Sequence, residues 1–514
     1  MRGLLAALAI VVSGTGTSAR LPDGPVPKQV QNAQMLDLAV RLKALETALG
    51  DPAGQFRPLS DLIAAAGLTE IVHPPQFVRP FAEPSGTRPP EEPLQAQRLN
   101  MRLALTMLSQ PYGSDDNFTV LAAQPGPDTA ALILRKGRAT MTDLRRLLRE
   151  QGLQEVTSEP TLTLRVPLVI WAGATLDLGP GDVIALSRTD GAFLMNFGQL
   201  EMRGASIVSV GAANENSPRF TPFVTSADTG SVLLDGASIV GLGFGDTSKF
   251  SGFAVLHNAL QTAHRPVRIE NSRFENIISL SMNSVRDATI RNNRFQDMRG
   301  AALVVARSRN VAVLSNVFLG KMPTNSIRIE DGSSDGQIAG NIILGGKRAG
   351  ITVRTESPRA AVLNNIIWKR DGSGITLLHS DCGRIVGNLV IDNDQKGIEV
   401  RSSSKVWVQQ NTVLSNHSAG LWVSSQAPGV ETMLQGNVLA ANGSGLAAAA
   451  GEAISMEGND FTLQFPQFLS GDLALLSPAI ARNLRGDAPM VLNPSGTTRV
   501  PPAAAELAAT DCKD

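Results

Sequence analysis

A short pattern that recurs through the second half of the chain constrains its fold more than any other feature of the sequence. The pattern sets Asn between apolar residues, as in IRNNRF around Asn293, and its copies lie about 21 to 26 residues apart. After an earlier copy with Ser272, the Asn slot is filled by Asn293, Asn316, Asn341, Asn365, Asn388, Asn411, Asn437 and Asn459. A repeat of this length indicates a solenoid, because each repeat can bury its apolar face only by stacking on its neighbours.

A second motif, a small residue followed by apolar-x-apolar, keeps a constant offset from the Asn pattern. Its copies begin at Ser326, Gly350, Gly374, Gly397 and Gly420. Two short strands in fixed phase predict a coil that returns to its own start. We therefore predict an all-β solenoid, a right-handed parallel β-helix over residues 162–465, with the Asn residues stacked as a structural ladder. Its core should contain stacked Ile351, Ile375 and Ile398.

Before the repeats the chain changes character. Helical periodicity marks residues 30–49, 59–68 and 94–108, and strands at 130–134 and 162–170 flank a helix at about 141–151. The apolar stripe predicted for the first helix consists of Met35, Leu36, Ala39, Leu42 and Leu45. The predicted divisions are a signal peptide 1–19, a small, partly helical and Pro-rich N-terminal region 20–117, an N-terminal cap 118–161, the β-helix 162–465, and a C-terminal cap with a flexible tail 466–514.

The first residues are typical of a secretory signal, with Arg2, a short apolar run and small residues before a cleavage site. We expect a periplasmic or secreted protein that does not insert into a membrane after signal removal. Lys plus Arg (46) balance Asp plus Glu (46), which argues against nucleic acid as a partner. A disulfide is possible in an oxidising compartment, but Cys382 lies in the repeats and Cys512 in a polar tail, so we do not expect the two to pair. We expect no cofactor and no metal.

Alternation along each strand of the second motif sends two residues outward. One predicted outward column consists of Leu303, Arg328, Thr352, Thr376, Glu399 and Trp422. The other consists of Val305, Glu330, Arg354, Leu378, Arg401 and Ser424. Arginine pairs with carboxylates and Trp offers a flat plate for a sugar ring, so this face is a candidate site for an extended acidic polysaccharide. The alternative is a solvated face with ion pairs, such as Glu330 with Arg354.

Residues from about 162 to 439 resemble the periplasmic mannuronan C5-epimerases of alginate biosynthesis. The resemblance rests on RVPLVIWAGATLDL (165–178), GAFLMNFGQL (191–200), PRFTPFV (218–224) and the repeats. It implies a β-helix groove that holds polymannuronate. In that family a cation neutralises the C5 carboxylate, one side chain removes the C5 proton, and another returns a proton to the opposite face.

The family's catalytic residues are only partly present. Its Asp-Pro-His-Asp quartet corresponds to the apolar residues 303–306, and a later arginine to Asp331. The Arg-Ser-Arg that follows the quartet is retained as Arg307, Ser308 and Arg309. We assign substrate binding to Arg307, Arg309, Arg328, Glu399 and Trp422.

His379 is the candidate catalytic base, with Arg354 and Arg401 as the cations, because a histidine beside arginines can stay neutral near pH 7. An incidental turn histidine is the alternative, and His257 occupies the matching slot of an earlier coil.

These observations leave two main functions open. One is an exported carbohydrate-active enzyme, a mannuronan C5-epimerase-like isomerase or else a polyuronate lyase. The other is a non-catalytic β-helix that guides or protects an acidic exopolysaccharide during export, with a polysaccharide export complex as a further partner. A purely structural solenoid is a third. Because the quartet is lost, we expect activity on polymannuronate to be absent or very weak.

Overall fold

The computed structural model describes residues 28–51, 59–69, 92–156, 160–258, 267–501 and Cys512. The predicted signal peptide and most of the Pro-rich segment lie outside these residues. The chain forms two compact units. The inserted unit consists of residues 79–312 and 321–323, and the framing unit of residues 1–78, 313–320 and 324–514.

The framing unit is a parallel β-helix whose coils contain three short strands each. The first strands are Ile327–Glu330, Ile351–Arg354, Ile375–Leu378, Ile398–Arg401, Ala419–Ser424, Ser444–Ala449 and Leu469–Gly471. The second strands are Gln337–Ala339, Ala361–Leu363, Arg384–Val386, Trp407–Gln409, Glu431–Gln435 and Ala453–Glu457. The third strands are Val317–Leu319, Ile342–Leu344, Ile366–Trp368, Leu389–Ile391, Thr412–Leu414, Val438–Ala440 and Asp460–Leu463. Equivalent strands of successive coils pair in parallel, and this stacks the buried Ile351, Ile375 and Ile398 as predicted.

The inserted unit has the same coil design. Its first strands are Leu168–Leu178, Leu194–Asn196, Val224–Asp228, Gly252–His257, Ser279–Asn283 and Leu303–Ala306. Its second strands are Gln199–Arg203, Ser231–Asp235, Val267–Glu270 and Thr289–Arg291. Its third strands are Thr161–Leu164, Val183–Ser187, Ser206–Val210, Ser238–Val240, Arg273–Glu275 and Arg294–Gln296. The strand Ala312–Leu314 contains the boundary between the units.

The remaining elements lie before and after the coils. In the inserted unit they are the strands Gln95–Asn100 and Ala130–Ala139, the helices Arg102–Tyr112, Asn117–Ala122 and Met141–Glu150, and the 3-10 turn Ser248–Phe250. In the framing unit they are the helices Lys28–Gly50, Leu59–Ala65 and Ser477–Ala481, the 3-10 turn Ala474–Leu476, and the antiparallel strands Met490–Asn493 and Thr497–Arg499. None of the described helices is long and apolar enough to cross a membrane.

The predicted helix at 94–108 is wrong in its first half. Residues Gln95–Asn100 form a strand that pairs antiparallel with Ala130–Ala139, and the helix begins only at Arg102. Pairing with a neighbouring strand satisfies the backbone groups of this segment, so tertiary context overrides its helical periodicity.

The Asn residues of the first motif form the predicted ladder within the framing unit. Its members are Asn316, Asn341, Asn365, Asn388, Asn411, Asn437 and Asn459. The Oδ1 atom of Asn388 accepts bonds from both the backbone N and Nδ2 of Asn365, each at 2.9 Å. Asn388 then donates from Nδ2 to the carbonyl of Val362 at 2.9 Å. Each amide therefore links two coils and closes a turn.

A second ladder runs through Asn393, Asn416, Asn442 and Gln464, again joined by amide hydrogen bonds. Reasoning from the first motif missed it, although the spacing of these residues equals that of the repeat. Both ladders satisfy turn backbone groups that the coil buries.

The helix Lys28–Gly50 packs against the outward face of the third strands. Its buried residues are Leu38, Leu42, Leu45 and Leu49, whereas Leu36 is 66% exposed, so the predicted stripe is only partly correct. The strand residues in this cluster are Val317, Leu319, Ile342, Leu344, Ile366, Trp368, Leu389, Ile391, Leu414 and Ala440. The third strands of the framing unit are thus covered on both faces.

A disulfide joins Cys382 to Cys512, so the expectation that these cysteines stay unpaired is wrong. Sequence distance was a poor guide because Cys382 lies at the surface turn that follows the first strand Ile375–Leu378. The bond fastens Cys512, near the end of the chain, to that turn.

Candidate functional site

The outward side chains of the first strands form two columns in the framing unit, as strand alternation predicts. Strand register stacks one column as Arg328, Thr352, Thr376, Glu399 and Trp422. It stacks the other as Arg354, Leu378, Arg401 and Ser424. We call these two columns the outer face of the framing unit.

The expectation that Leu303 and Val305 face outward is wrong. Their side chains are 0% and 1% exposed, and Leu303 pairs in register with the equally buried Leu280. The small residue of this copy is Ala302, so alternation turns Val304 and Ala306 away from the core. Neither side chain can carry a proton.

Glu330 lies between two arginines of the outer face. Its Oε2 atom is 2.6 Å from Nη2 of Arg354 and 3.7 Å from Nε of Arg328. Burial is the largest cause that lowers the pKa of Arg328. The charge of Glu330 raises this pKa, and the charges of Arg354 and Arg348 lower it further. The ion pair considered from the sequence is therefore present, but the cluster keeps an excess of positive charge.

Arg401 and Trp422 lie in adjacent coils of the outer face, three and four coils after that of Glu330. Nζ of Lys396 donates to Oε1 of Glu399 at 2.8 Å and lies 4.8 Å from the centroid of the Trp422 ring. Arg401 is exposed and has no ion pair with the part of the chain that the structure describes. Its guanidinium is available to an anionic ligand.

His379 is exposed at the turn that follows the strand Ile375–Leu378, with a φ of 48°. Its backbone N–H donates to the carbonyl of Arg401 at 3.1 Å. Its ring has no hydrogen-bond partner among the described residues, so no neighbour fixes its tautomer. Its catalytic role stays a prediction.

Arg370, which sequence analysis did not select, is fully buried, and its Nη1 donates to the hydroxyl of Ser326, directly before the first strand Ile327–Glu330. It donates to the carbonyls of Arg348 at 3.1 Å and Thr324 at 2.8 Å, and also to those of Gly345 and Lys347. Burial lowers its pKa to about 10. The carbonyls of residues 345, 347 and 348 thus all bond one buried cation, which fixes the turn that they form. The side chains of Lys347 and Arg348 on this turn are exposed.

In the inserted unit, Arg307 and Arg309 are exposed on the turn after the strand Leu303–Ala306. Nε of Arg307 donates to Oδ1 of Asn283 at 3.1 Å. Ser308 is buried, and its hydroxyl bonds the carbonyl of Ala306 and the backbone N–H of Val285. The Arg-Ser-Arg match thus combines a structural serine with surface arginines.

The inserted unit also contains Tyr112, Asp228 and His257, three residues that the sequence reasoning did not assign to a site. The hydroxyl of Tyr112 donates to the carbonyl of Leu256 at 2.6 Å. Burial, followed by the charge of Asp228, raises the pKa of Tyr112, while the charge of Arg307 opposes this rise. His257, next along the chain from Leu256, pairs in register with Asp228. Tyr112 lies outside the repeats, so periodicity gave no signal for it.

The described residues contain no group of three or more His, Cys, Asp or Glu side chains that could hold a metal ion. The described site residues offer binding by arginine and Trp, and proton transfer by His, Tyr and carboxylates.

Residues 276–439 match the family model of the right handed beta helix region, which confirms the predicted right-handed parallel β-helix. No curated protein matches the sequence. Among solved structures, the chain superposes on the periplasmic alginate epimerase AlgG with a TM-score of 0.56 and 18% identity, over 77% of this chain and 92% of that chain.

Two other solved structures superpose less closely. The A-module of the Azotobacter vinelandii mannuronan C-5 epimerase AlgE6 gives a TM-score of 0.37 at 10% identity, over 64% of this chain and 92% of that chain. Tailspike protein 3 of bacteriophage CBA120 gives 0.35 at 10% identity, over 72% of this chain and 67% of that chain. The family that the sequence resembles is thus among its structural neighbours, and at these identities the likeness shows the fold alone.

Proposed function

We propose that this chain is an exported protein that binds an extended acidic polysaccharide along the outer face of the framing unit. The observation that carries the proposal is the exposed Arg401, without an ion pair among the described residues, one coil from Trp422. A guanidinium can hold a uronate carboxylate while the indole lies against a sugar ring.

The spacing of the cations supports an extended ligand. Arg354 and Arg401 lie in one column two coils apart, which corresponds to about 9.6 Å at the usual distance between strands. This is close to the length of two sugar residues in an extended chain. The epimerase AlgG, which has the same fold, is periplasmic. Export of this chain would agree with that location and with the signal-like residues at its N-terminus.

Calorimetric titration with polymannuronate tests the binding face. Arg401→Ala and Trp422→Ala should each weaken binding by about 10-fold, equivalent to about 1.4 kcal/mol. The matched control is Arg384→Ala, which removes an exposed arginine from the second strand Arg384–Val386 and should leave affinity unchanged. Neutral dextran should not bind. A loss for Arg384→Ala equal to that for Arg401→Ala would indicate general charge attraction and contradict the proposed face.

Two finer functions remain proposals. The first is chemical modification, as C5 epimerisation or as elimination by a lyase, and the second is non-catalytic guidance of the polymer in a polysaccharide export complex. The hydroxyl of Tyr112 bonds the carbonyl of Leu256, directly before His257, and this contact between a phenol and the histidine turn favours modification. Polymannuronate incubated with the protein would show guluronate by proton NMR after epimerisation, and an unsaturated product after elimination.

A further inference from the structure

The second strands of the framing unit have an outward face of their own. Ile385, Val408 and Leu434 in these strands are buried, so alternation sends the residues on either side of each outward. Strand register stacks one outward column as Arg384, Trp407, Met433 and Ser455, and the other as Val386, Gln409, Gln435 and Glu457. We define the second-strand face as Trp407, Met433, Gln409, Gln435 and Glu457.

Trp407 differs from the other three tryptophans in the surroundings of its ring. Trp171 contacts the ring of Phe197, and a lysine lies over each of the rings of Trp368 and Trp422. Trp407 is partly exposed, and its ring has no aromatic or cationic partner in the part of the chain that the structure describes. The exposed part of this indole is a flat apolar surface on which a ligand can lie.

Beside Trp407, three polar side chains form a hydrogen-bonded row along the coils. Nε2 of Gln409 donates to Oε1 of Gln435 at 2.9 Å, and Nε2 of Gln435 donates to Oε2 of Glu457 at 3.1 Å. Both Gln435 and Glu457 are exposed. Ordering a mobile glutamine on the surface costs conformational entropy when a ligand binds. Because this row is already ordered, less entropy is lost on binding.

The row retains hydrogen-bonding groups that a ligand can use. An amide offers two donors and a carbonyl acceptor, and a carboxylate offers two acceptor oxygens. The second N–H of each glutamine and Oε1 of Glu457 have no partner among the described residues. Sugar hydroxyls both donate and accept hydrogen bonds, and a sugar ring has an apolar face that suits an indole. A sugar therefore matches both parts of the second-strand face.

The charge and length of the face indicate which kind of sugar chain it suits. The two outward columns contain one exposed cation, Arg384, and one exposed anion, Glu457, so they carry no excess positive charge for a uronate. Gln409 and Glu457 lie two coils apart, about 9.6 Å, which is close to two sugar residues in an extended chain. A β-1,4 linkage keeps successive rings in line, whereas the α-1,6 linkage of dextran adds a rotatable bond between them.

We propose that the second-strand face binds a neutral, β-1,4-linked sugar chain. Trp407 stacks on the apolar face of one ring, and the row of Gln409, Gln435 and Glu457 hydrogen-bonds hydroxyls along the edge of the chain. The site uses no residue of the outer face and does not rest on the proposed function. A protein with both sites would hold an acidic and a neutral polysaccharide at the same time.

Calorimetric titration of the full chain with cellohexaose, a neutral β-1,4-linked oligosaccharide, tests the site. The wild type should bind, and saturating polymannuronate should not displace the sugar. Trp407→Ala should weaken binding by about 10-fold or more. Trp407→Phe keeps an aromatic ring and should weaken it less. Gln435→Met keeps the size of the side chain but breaks both hydrogen bonds of the row, and should weaken binding by about 5-fold.

Phe118→Ala is the matched control, because it removes a ring that is 83% exposed in the inserted unit and should leave the affinity unchanged. Circular dichroism and the unfolding midpoint check that each variant folds, and Gln435→Met decides if Trp407→Ala does not. Absence of cellohexaose binding by the wild type, or binding that survives Trp407→Ala, overturns the site. Displacement by polymannuronate would place both ligands on one face and overturns it too. An equal loss for Phe118→Ala would indicate unspecific contact with aromatic rings, with the same consequence.

Discussion

At the scale of single residues, Tyr112 can be observed directly because it is the only tyrosine of the chain. Burial and the charge of Asp228 raise its pKa above the usual 10.0. The folded protein therefore retains the phenol proton where the unfolded chain loses it. The resulting stabilisation is fully present below about pH 10 and is lost as the pH rises through the folded pKa.

Absorbance of the phenolate during an alkaline titration measures this pKa. We expect the midpoint to lie above that of a tyrosine model peptide, and to fall to the model value in denaturant. Tyr112→Phe provides the blank and should remove this tyrosine contribution to the alkaline loss of stability. A midpoint equal to that of the peptide would show that the phenol is solvated.

The residues of the candidate sites differ in how well the sequence predicts them. Arg354, Arg401 and Trp422 follow from strand alternation once the repeat fixes the phase. Tyr112 does not, because it contacts Leu256 across 144 residues of sequence from outside the repeats. The orientation of Leu303 and Val305 does not follow from the sequence, because consecutive small and apolar residues around Ala302 allow two phases of the strand.

At the scale of elements, the asparagine ladder should be a main source of stability for the framing unit. Asn388→Ala removes an acceptor for two donors of Asn365 and leaves the buried carbonyl of Val362 without its amide partner. Unsatisfied buried groups cost about 1–3 kcal/mol each, so we expect the free energy of unfolding to fall by about 3 kcal/mol or more. Urea denaturation measures the change. Arg384→Ala, an exposed change in the same coil, should stay within about 0.5 kcal/mol of wild type.

The docked helix Lys28–Gly50 gives a second prediction at this scale. Leu42 is fully buried against the third strands and Leu36 is 66% exposed on the same helix. Leu42→Glu places a charge in an apolar contact and should release the helix, exposing Trp368 and shifting tryptophan emission to longer wavelength. Leu36→Glu should change neither emission nor stability. The shift should vanish in a Trp368→Phe background, and its persistence there would point to another Trp.

The position of this helix could not be predicted from its own periodicity. An apolar stripe indicates that one side of a helix is buried. Which of two adjacent stripes on the helix is buried depends on the surface against which the helix packs. The signal lay instead in the third strands, where IIL (342–344) and IIW (366–368) are apolar at every position. Such runs indicate strands that are covered on both faces.

At the scale of the whole molecule, the disulfide encloses 130 residues of the chain. Closing a loop of this size restricts the unfolded state and contributes up to about 5 kcal/mol in chain-entropy terms. A reductant should therefore lower the unfolding midpoint of the wild type in urea. Cys512→Ser combined with Cys382→Ser should start at the lower midpoint and be insensitive to reductant. Equal midpoints for oxidised and reduced wild type would show that the bond adds no stability.

The docking of the helix Lys28–Gly50 on strands between Val317 and Ala440 also sets an order of events during biosynthesis. The helix is translated long before its docking surface exists, so its leucine stripe stays uncovered while the intervening chain is made. Contacts of such high contact order form late and slowly, and a nascent chain with uncovered apolar surface is prone to aggregate. The N-terminal helix thus cannot dock fully until the strands up to Ala440 have been made, and its leucines stay exposed until then.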